Sequence, residues 1–200
     1  MANLNTAGFG LIAAGTIGST PATQGQGKYY IETAYATSIF QGTSVLMKQG
    51  YVNNGQAVVT EKSIGIFNGC FYNAATTLKP TWANHWVGTT APANSENAQA
   101  FVIDNRDQLF VGVGAAAVPQ ANIGKTCGLT VVAAAALTGG STISGQSDCF
   151  LLTGATNNTL HQWRLLRTAE DPSNNDIASV NGSYVVCHNL NQYDSALSWQ

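Results

Sequence analysis

Charge is what this sequence has least of. Lys and Arg number 8 and Asp and Glu 10 in 200 residues, so charged side chains make up 9% of the chain against a usual ~25%. A formal net charge of -2 gives no basic field to gather phosphates, and nucleic acid is therefore not an expected partner. Long apolar runs are also missing. LTVVAAAALTGG, residues 129–140, stops well short of the ~20 residues of a membrane helix, so no membrane association is expected. FGLIAAGTI, residues 9–17, has the length of a signal core, but the first cation, Lys28, comes after it, and an arm or strand is the better reading.

Metal and redox spacings are absent too. Cys70, Cys127, Cys149 and Cys187 show no CxxC or CxH pattern, and buried, reduced free thiols are expected. His85, His161 and His188 lie far apart and read as satisfied structural residues rather than ligands. The fragment Gly124-Lys125-Thr126 resembles the end of a phosphate loop, but Pro119 stands where that loop needs its first glycine. GxSxG is absent, and Gly112-Val113-Gly114 lacks the third glycine of a dinucleotide fingerprint. Asp104 and Asp107 flank a predicted turn, where acids cap backbone amides. No catalytic residue, cofactor or metal ligand is expected.

What the chain does have is 44% apolar residues, 21 Gly and 18 Asn. A globular chain of this length can bury roughly 70% of its unfolded surface, leaving an exterior of amides, hydroxyls and backbone. Residues 1–27 carry no charge and many glycines, which suggests an extended N-terminal arm lying on another surface. From residue 28 the pattern turns to strands: KYYIE, SVLMKQ, AVVT, SIGIFNGCFY (Ile64, Ile66 and Asn68 on one face), QAFVID, QLFVGV, LHQWRLLR and SYVVCHN. Asn53-Asn54-Gly55 and Asn105-Arg106-Asp107 suit hairpin loops, and DPSNND, residues 171–176, joins the last two strands. Helical turns fit only near Ala34–Phe40 and Gln120–Thr126. No internal repeat is evident. The expectation is an all-β, antiparallel sandwich or jelly-roll-like barrel over residues 28–200, with long loops and the 1–27 arm.

Within KYYIETAYATSIFQGTSVLMKQG, Tyr29, Ile31, Val45 and Met47 are expected in the core, with Thr37–Thr43 as the tight connection of a first hairpin. Trp82, Trp86 and Tyr72 offer a second reading, because exposed aromatics stack on sugar rings and β-sandwiches often carry carbohydrate-binding sites. PTWANHWV also alternates as a half-buried strand would. The sequons Asn157-Asn158-Thr159 and Asn181-Gly182-Ser183 matter only in a secreted eukaryotic context, which nothing in the sequence supports.

YATSIFQGTSV at 35–45, GIFNGCFY at 65–72, His85-Trp86, AFVIDNRDQLF at 100–110, NIG at 122–124, SGQSD at 144–148, HQWRLLR, the Asn174-Asn175 loop and YVVCHNLNQY at 184–193 form an ordered series. That series resembles the head structural proteins of tailed, especially marine, bacteriophages, interpreted as capsid decoration or cement proteins. The family's acid-acid-proline turn reads Asp104-Asn105-Arg106 here, a departure from the pattern. The resemblance implies a non-enzymatic virion structural protein, made and assembled in the bacterial host cytoplasm. It would sit on the outer capsid surface as a homodimer or homotrimer and clamp the major capsid protein lattice. Phe9, Leu11, Ile12 and Ile17 in the uncharged segment Asn3–Thr20 are the expected interface anchors, since exposed apolar patches mark interaction sites. The alternative is a virion-surface or fibre-associated glycan-binding module using Trp82 and Trp86.

Overall fold

The computed structural model describes residues 3–4, 7–18, 25–55, 61–130, 139–153 and 161–194. The run at 57–60, the alanines at 133–136 and the Asn157 sequon fall outside them. Twelve strands are found among the described residues. They are β1 (Ile12–Thr16), β2 (Gly27–Ile31), β3 (Ser44–Lys48), β4 (Tyr51–Asn54), β5 (Gly65–Asn73), β6 (Pro80–Ala83), β7 (Ala98–Ile103), β8 (Gln108–Val113), β9 (Thr126–Thr130), β10 (Phe150–Leu152), β11 (Trp163–Thr168) and β12 (Ser183–His188). Helix is confined to two 3-10 turns, at Ala93–Ser95 and Gln120–Asn122. The all-β expectation holds: the strands form two antiparallel sheets, ordered β2-β7-β5-β3-β4 with β6 beside β5, and β1-β8-β12-β11-β9-β10.

These two orders are the same order. Without β6 and β1, each sheet uses five consecutive strands of its own stretch of chain, arranged first-fifth-fourth-second-third. The register agrees residue by residue. Val45 opposite Gly65 matches Cys127 opposite Trp163, and Ile66 opposite Ile103 matches Arg164 opposite Cys187. A bulge interrupts the fourth-to-fifth strand pairing at Phe67/Gly69 in one sheet and at the equivalent Leu165/Arg167 in the other. Gly42 and Gly124, with φ of 91° and 90°, turn the chain into the second strand at matching places. Gly42 N–H donates to Phe67 O and Phe67 N–H to Thr43 O, both at 2.9 Å; Gly124 N–H donates to Leu165 O at 2.8 Å and Leu165 N–H to Lys125 O at 2.9 Å. The chain is therefore a tandem pair of five-stranded units, contrary to the sequence reading, which found no repeat.

Each sheet curls. Cα atoms of β2 and β4, and likewise of β8 and β10, come within 8 Å, but no ladder joins β2 to β4 and neither sheet is a closed barrel. The inner face of the first unit packs Ile31, Val45, Val52, Phe67, Ala100 and Val102, capped by Ile39 and Trp86, which bridge each other. The inner face of the second packs Phe110, Leu129, Leu151, Trp163, Leu165, Tyr184 and Val186. Ile66 and Ile103 leave the outer face of the first unit and enter this second core. Ile64 faces the first core instead, so Ile64 and Ile66 do not share a face.

Several local expectations are corrected. Segment 1–27 is not a separate arm over its described residues: β1 pairs antiparallel with β8, and Leu11 is 2% exposed inside the second core. Asn3 donates to Asp176 O and Val180 O at 3.0 and 2.8 Å, and Gly10 N–H to Cys149 O at 3.0 Å, so apolar burial and backbone pairing both draw this segment in. Residues 28–50 do not make a hairpin, because β7 and β5 stand between β2 and β3. Of its expected core residues, Ile31 and Val45 are buried, while Tyr29 and Met47 pack at the core's edge. The hairpin turn joining β3 to β4 is Gln49-Gly50, both at positive φ as a two-residue turn requires, and Asn53-Asn54 lie within β4. Residues 104–107 form a turn, but it connects the two sheets rather than two paired strands. Thr37–Phe40 and its neighbours Ala34–Ala36 contain no helix.

Candidate functional site

No described cluster of three His, Cys, Asp or Glu side chains is placed to hold a metal ion. All four cysteines are free and buried, as expected, and burial pushes the Cys70 and Cys149 thiols up to about 12, far from nucleophilic thiolates. His85 stacks on Phe40, and burial lowers its pKa. His161 Nδ1 lies 3.4 Å from Thr126 O. His188 is wedged against Trp163, ring centroids 4.3 Å apart, and burial pulls its pKa down to about 4. Lys125 donates to Asn122 at 2.7 Å beside the Gly124 turn, an ordinary turn contact. At 104–107, Tyr29 OH donates to Asp104 at 2.6 Å, and the Asn105 side chain accepts from Asp107 N–H at 3.0 Å. Among the described residues, no helix is long and apolar enough to cross a membrane.

Among the described residues, an open aromatic surface lies on the outer face of the first unit. Strand alternation puts Lys28 and Tyr30, Gln99 and Phe101, and Gly69 and Phe71 outward, and β6 extends the face with Trp82. Across the strands, Tyr30 stands opposite Gln99, Gln99 opposite Phe71, and Phe71 opposite Trp82, in one row. Tyr30 and Trp82 are each 54% exposed. The Trp82 ring lies over Gly69, where any side chain would meet it at 2.7 Å, and against Phe101 at a centroid distance of 5.0 Å. At the Phe71 end of the row, Phe71, Asn73, Glu96, Asn97 and Gln99 line a small cavity of about 60 Å³.

The same face runs toward the seam between the units, where a cavity of about 270 Å³ is lined by Phe9, Leu11, Ile12, Gln26, Gln41, Ile66, Asn68 and Ile103. Beside it β1 and its end leave apolar groups in solvent, Ile12 at 51% and Ile17 at 44% exposure.

The predicted residues thus divide. Ile12 and Ile17 are exposed, Phe9 is half-buried at the cavity, and Leu11 is a core residue that has no surface to offer an interface. Trp82 is open to solvent, but Trp86 is fully buried, its Nε1 donating to Tyr35 O at 3.0 Å, and Tyr72 packs edge-on against it. The two-tryptophan platform does not form, because a connection through Ala83, Asn84 and His85 carries Trp86 to the inner face. The aromatics that share the Trp82 face, Phe71 and Phe101 beside it and Tyr30 at the far end of the row, were missed. Their signal is the alternation in KYYI and QAFV, which marks one outward aromatic per strand once the pairing is known.

Compared with known protein families, curated proteins and solved structures, the chain matches none.

Proposed function

We propose that this chain is a non-enzymatic virion structural protein, a capsid decoration or cement protein that binds the outer surface of the major capsid lattice as a homo-oligomer. Motif order along the sequence is what suggests the class. The observation that carries the reading is the apolar edge made by Ile12 and Ile17 on and beside β1, next to the Phe9-lined cavity. A soluble β protein ordinarily protects an edge strand with charge, and β1 has none. Exposed apolar groups on such an edge support a site of association with protein. Low charge suits a clamp whose hold comes from buried area multiplied over many copies.

The test is the copy number in purified virions, by quantitative mass spectrometry against the major capsid protein. A simple lattice fraction is expected. A handful of copies per particle assigns the protein to a tail or adsorption role, and none removes the virion reading. An Ile12→Ser/Ile17→Ser double variant, which keeps Leu11 and β1 pairing, should bind undecorated capsids at least about tenfold more weakly, roughly 1.4 kcal/mol. Deleting residues 1–20 does not serve here, since it would remove a core strand.

A further inference from the structure

The outer aromatic face is a different surface with a different chemistry. We propose that the row Tyr30–Gln99–Phe71–Trp82, with Phe101 behind it, binds a neutral hexopyranose glycan. Three features point to this ligand class. Tyr30 and Trp82 are each about half exposed, the Trp82 indole lying over Gly69, and an aromatic ring packs well on the clustered C–H bonds of a pyranose. Amides and a carboxylate sit beside the rings, with Gln99 in the row and Asn73, Glu96 and Asn97 around the small cavity at Phe71. Asn73 Nδ2 reaches Glu96 Oε2 at 3.4 Å, a long contact that hydroxyl groups of a sugar can replace. The row crosses four strands, so its ends lie about 14 Å apart, the span of a short oligosaccharide.

Charge argues against a nucleic-acid strand on this face. The four strands β2, β5, β6 and β7 contain one charged residue, Lys28, at the seam end, so a nucleic-acid strand would find bases to stack but no cations for its phosphates. Gly69 is built into the site. With φ of +150° and the Trp82 ring over it, it leaves no side chain to lift the indole from the sheet. In the second unit, the equivalents of Tyr30, Gln99 and Phe101 are Val113, Ser183 and Val185, all buried. The site therefore belongs to one unit only.

The experiment titrates the full-length protein with cellohexaose, maltohexaose and a β-1,4-linked galacto-oligosaccharide, read by saturation-transfer NMR and by equilibrium titration up to about 10 mM. Saturable binding is expected for at least one of them, weakened about tenfold by Trp82→Ala and by Tyr30→Ala at the opposite end of the row. Both side chains are exposed, and unchanged circular dichroism verifies the fold of each variant. No saturable response to any of the three sugars overturns the proposal, as does binding that survives both substitutions. Stronger binding of an oligothymidylate would reassign the face to single-stranded nucleic acid. A loss of self-association in Trp82→Ala would reassign it to a second copy. The proposal stands independently of the capsid reading: the Ile12/Ile17 variant should bind sugar normally, and Trp82→Ala should bind capsids normally.

Discussion

The two units share a backbone plan and almost none of its volumes. At one inner position the first unit has Gly65 and the second Trp163; at others the pairs are Gly27 and Phe110, Tyr29 and Gly112, and Ala100 and Tyr184. Large and small residues have changed places while hydrogen-bond register, bulge and turn glycine stayed fixed. Backbone geometry is set by pairing and by a few positions of special φ, whereas close packing needs only the summed volume to fit. The first core gains its volume from the lid residues Ile39 and Trp86, the second from Trp163, Phe110 and the incoming Leu11. The outer faces diverge as well: the second unit has buried Val113, Ser183 and Val185 with exposed Arg164 and Arg167, while the first holds four aromatics on an open surface.

The comparison can be broken where it is strongest. Trp163→Ala should cost about 3–5 kcal/mol by denaturant unfolding, since it empties the centre of the second core. A loss below about 1 kcal/mol would mean that the second unit does not rest on this ring.

The position following Ile103 in the first unit and its match Cys187 in the second gives the next largest effect. It is Asp104 in the first unit, accepting from Tyr29, and His188 in the second, buried against Trp163. Burial, with Arg106 reinforcing it and Asp194 opposing, holds the folded His188 pKa at about 4, below the ~6.5 of an unfolded chain. The folded state disfavours the charged ring. Stability from this group is therefore complete above about pH 6.5 and declines as pH falls toward 4, by up to about 3 kcal/mol. His188→Phe should flatten that part of the pH–stability curve, measured as the difference from wild type between those limits.

The paired turn glycines sharpen the comparison further. At Gly42 an added Cβ would meet Phe9 O at 2.7 Å, whereas nothing lies within 4 Å of the same atom at Gly124. Gly42→Ala should therefore cost about 2–3 kcal/mol and Gly124→Ala about 1 kcal/mol, the strain of positive φ alone. Equal costs would show that the contact relaxes. An effect similar in size to that of Gly124→Ala belongs to the open face: Trp82→Ala should cost about 1 kcal/mol of thermal stability, the share of the indole that rests on Gly69 and Phe101.

Strand content was legible because alternation in KYYI, QAFV and QLFV is a local signal. The repeat was not. Asn97 to Asn105, NAQAFVIDN, and Asn181 to Asn189, NGSYVVCHN, share their two asparagines and a central valine, but the exchange of large for small residues hides the rest. The sequence leaves residues 9–17 open between arm and strand and puts 1–27 in an arm, because glycine and lack of charge look the same in an arm and in a strand whose partner lies about a hundred residues away. Trp86 is in the core, as the strand reading of PTWANHWV allowed, but Trp82 does not share its face, because alternation tells which residues share a face only until the chain bends, and it bends between Ala83 and Trp86.

Ile12 pairs with Val111, so β1 is seated on a strand made much later. On a ribosome adding about 5–20 residues per second, that strand waits some 5–20 s for its partner. The first unit has all five of its strands before β8 is complete and can close by itself during that time. β1 therefore docks only after β8 has emerged, and a product stalled before β8 would hold β1 without its pairing partner.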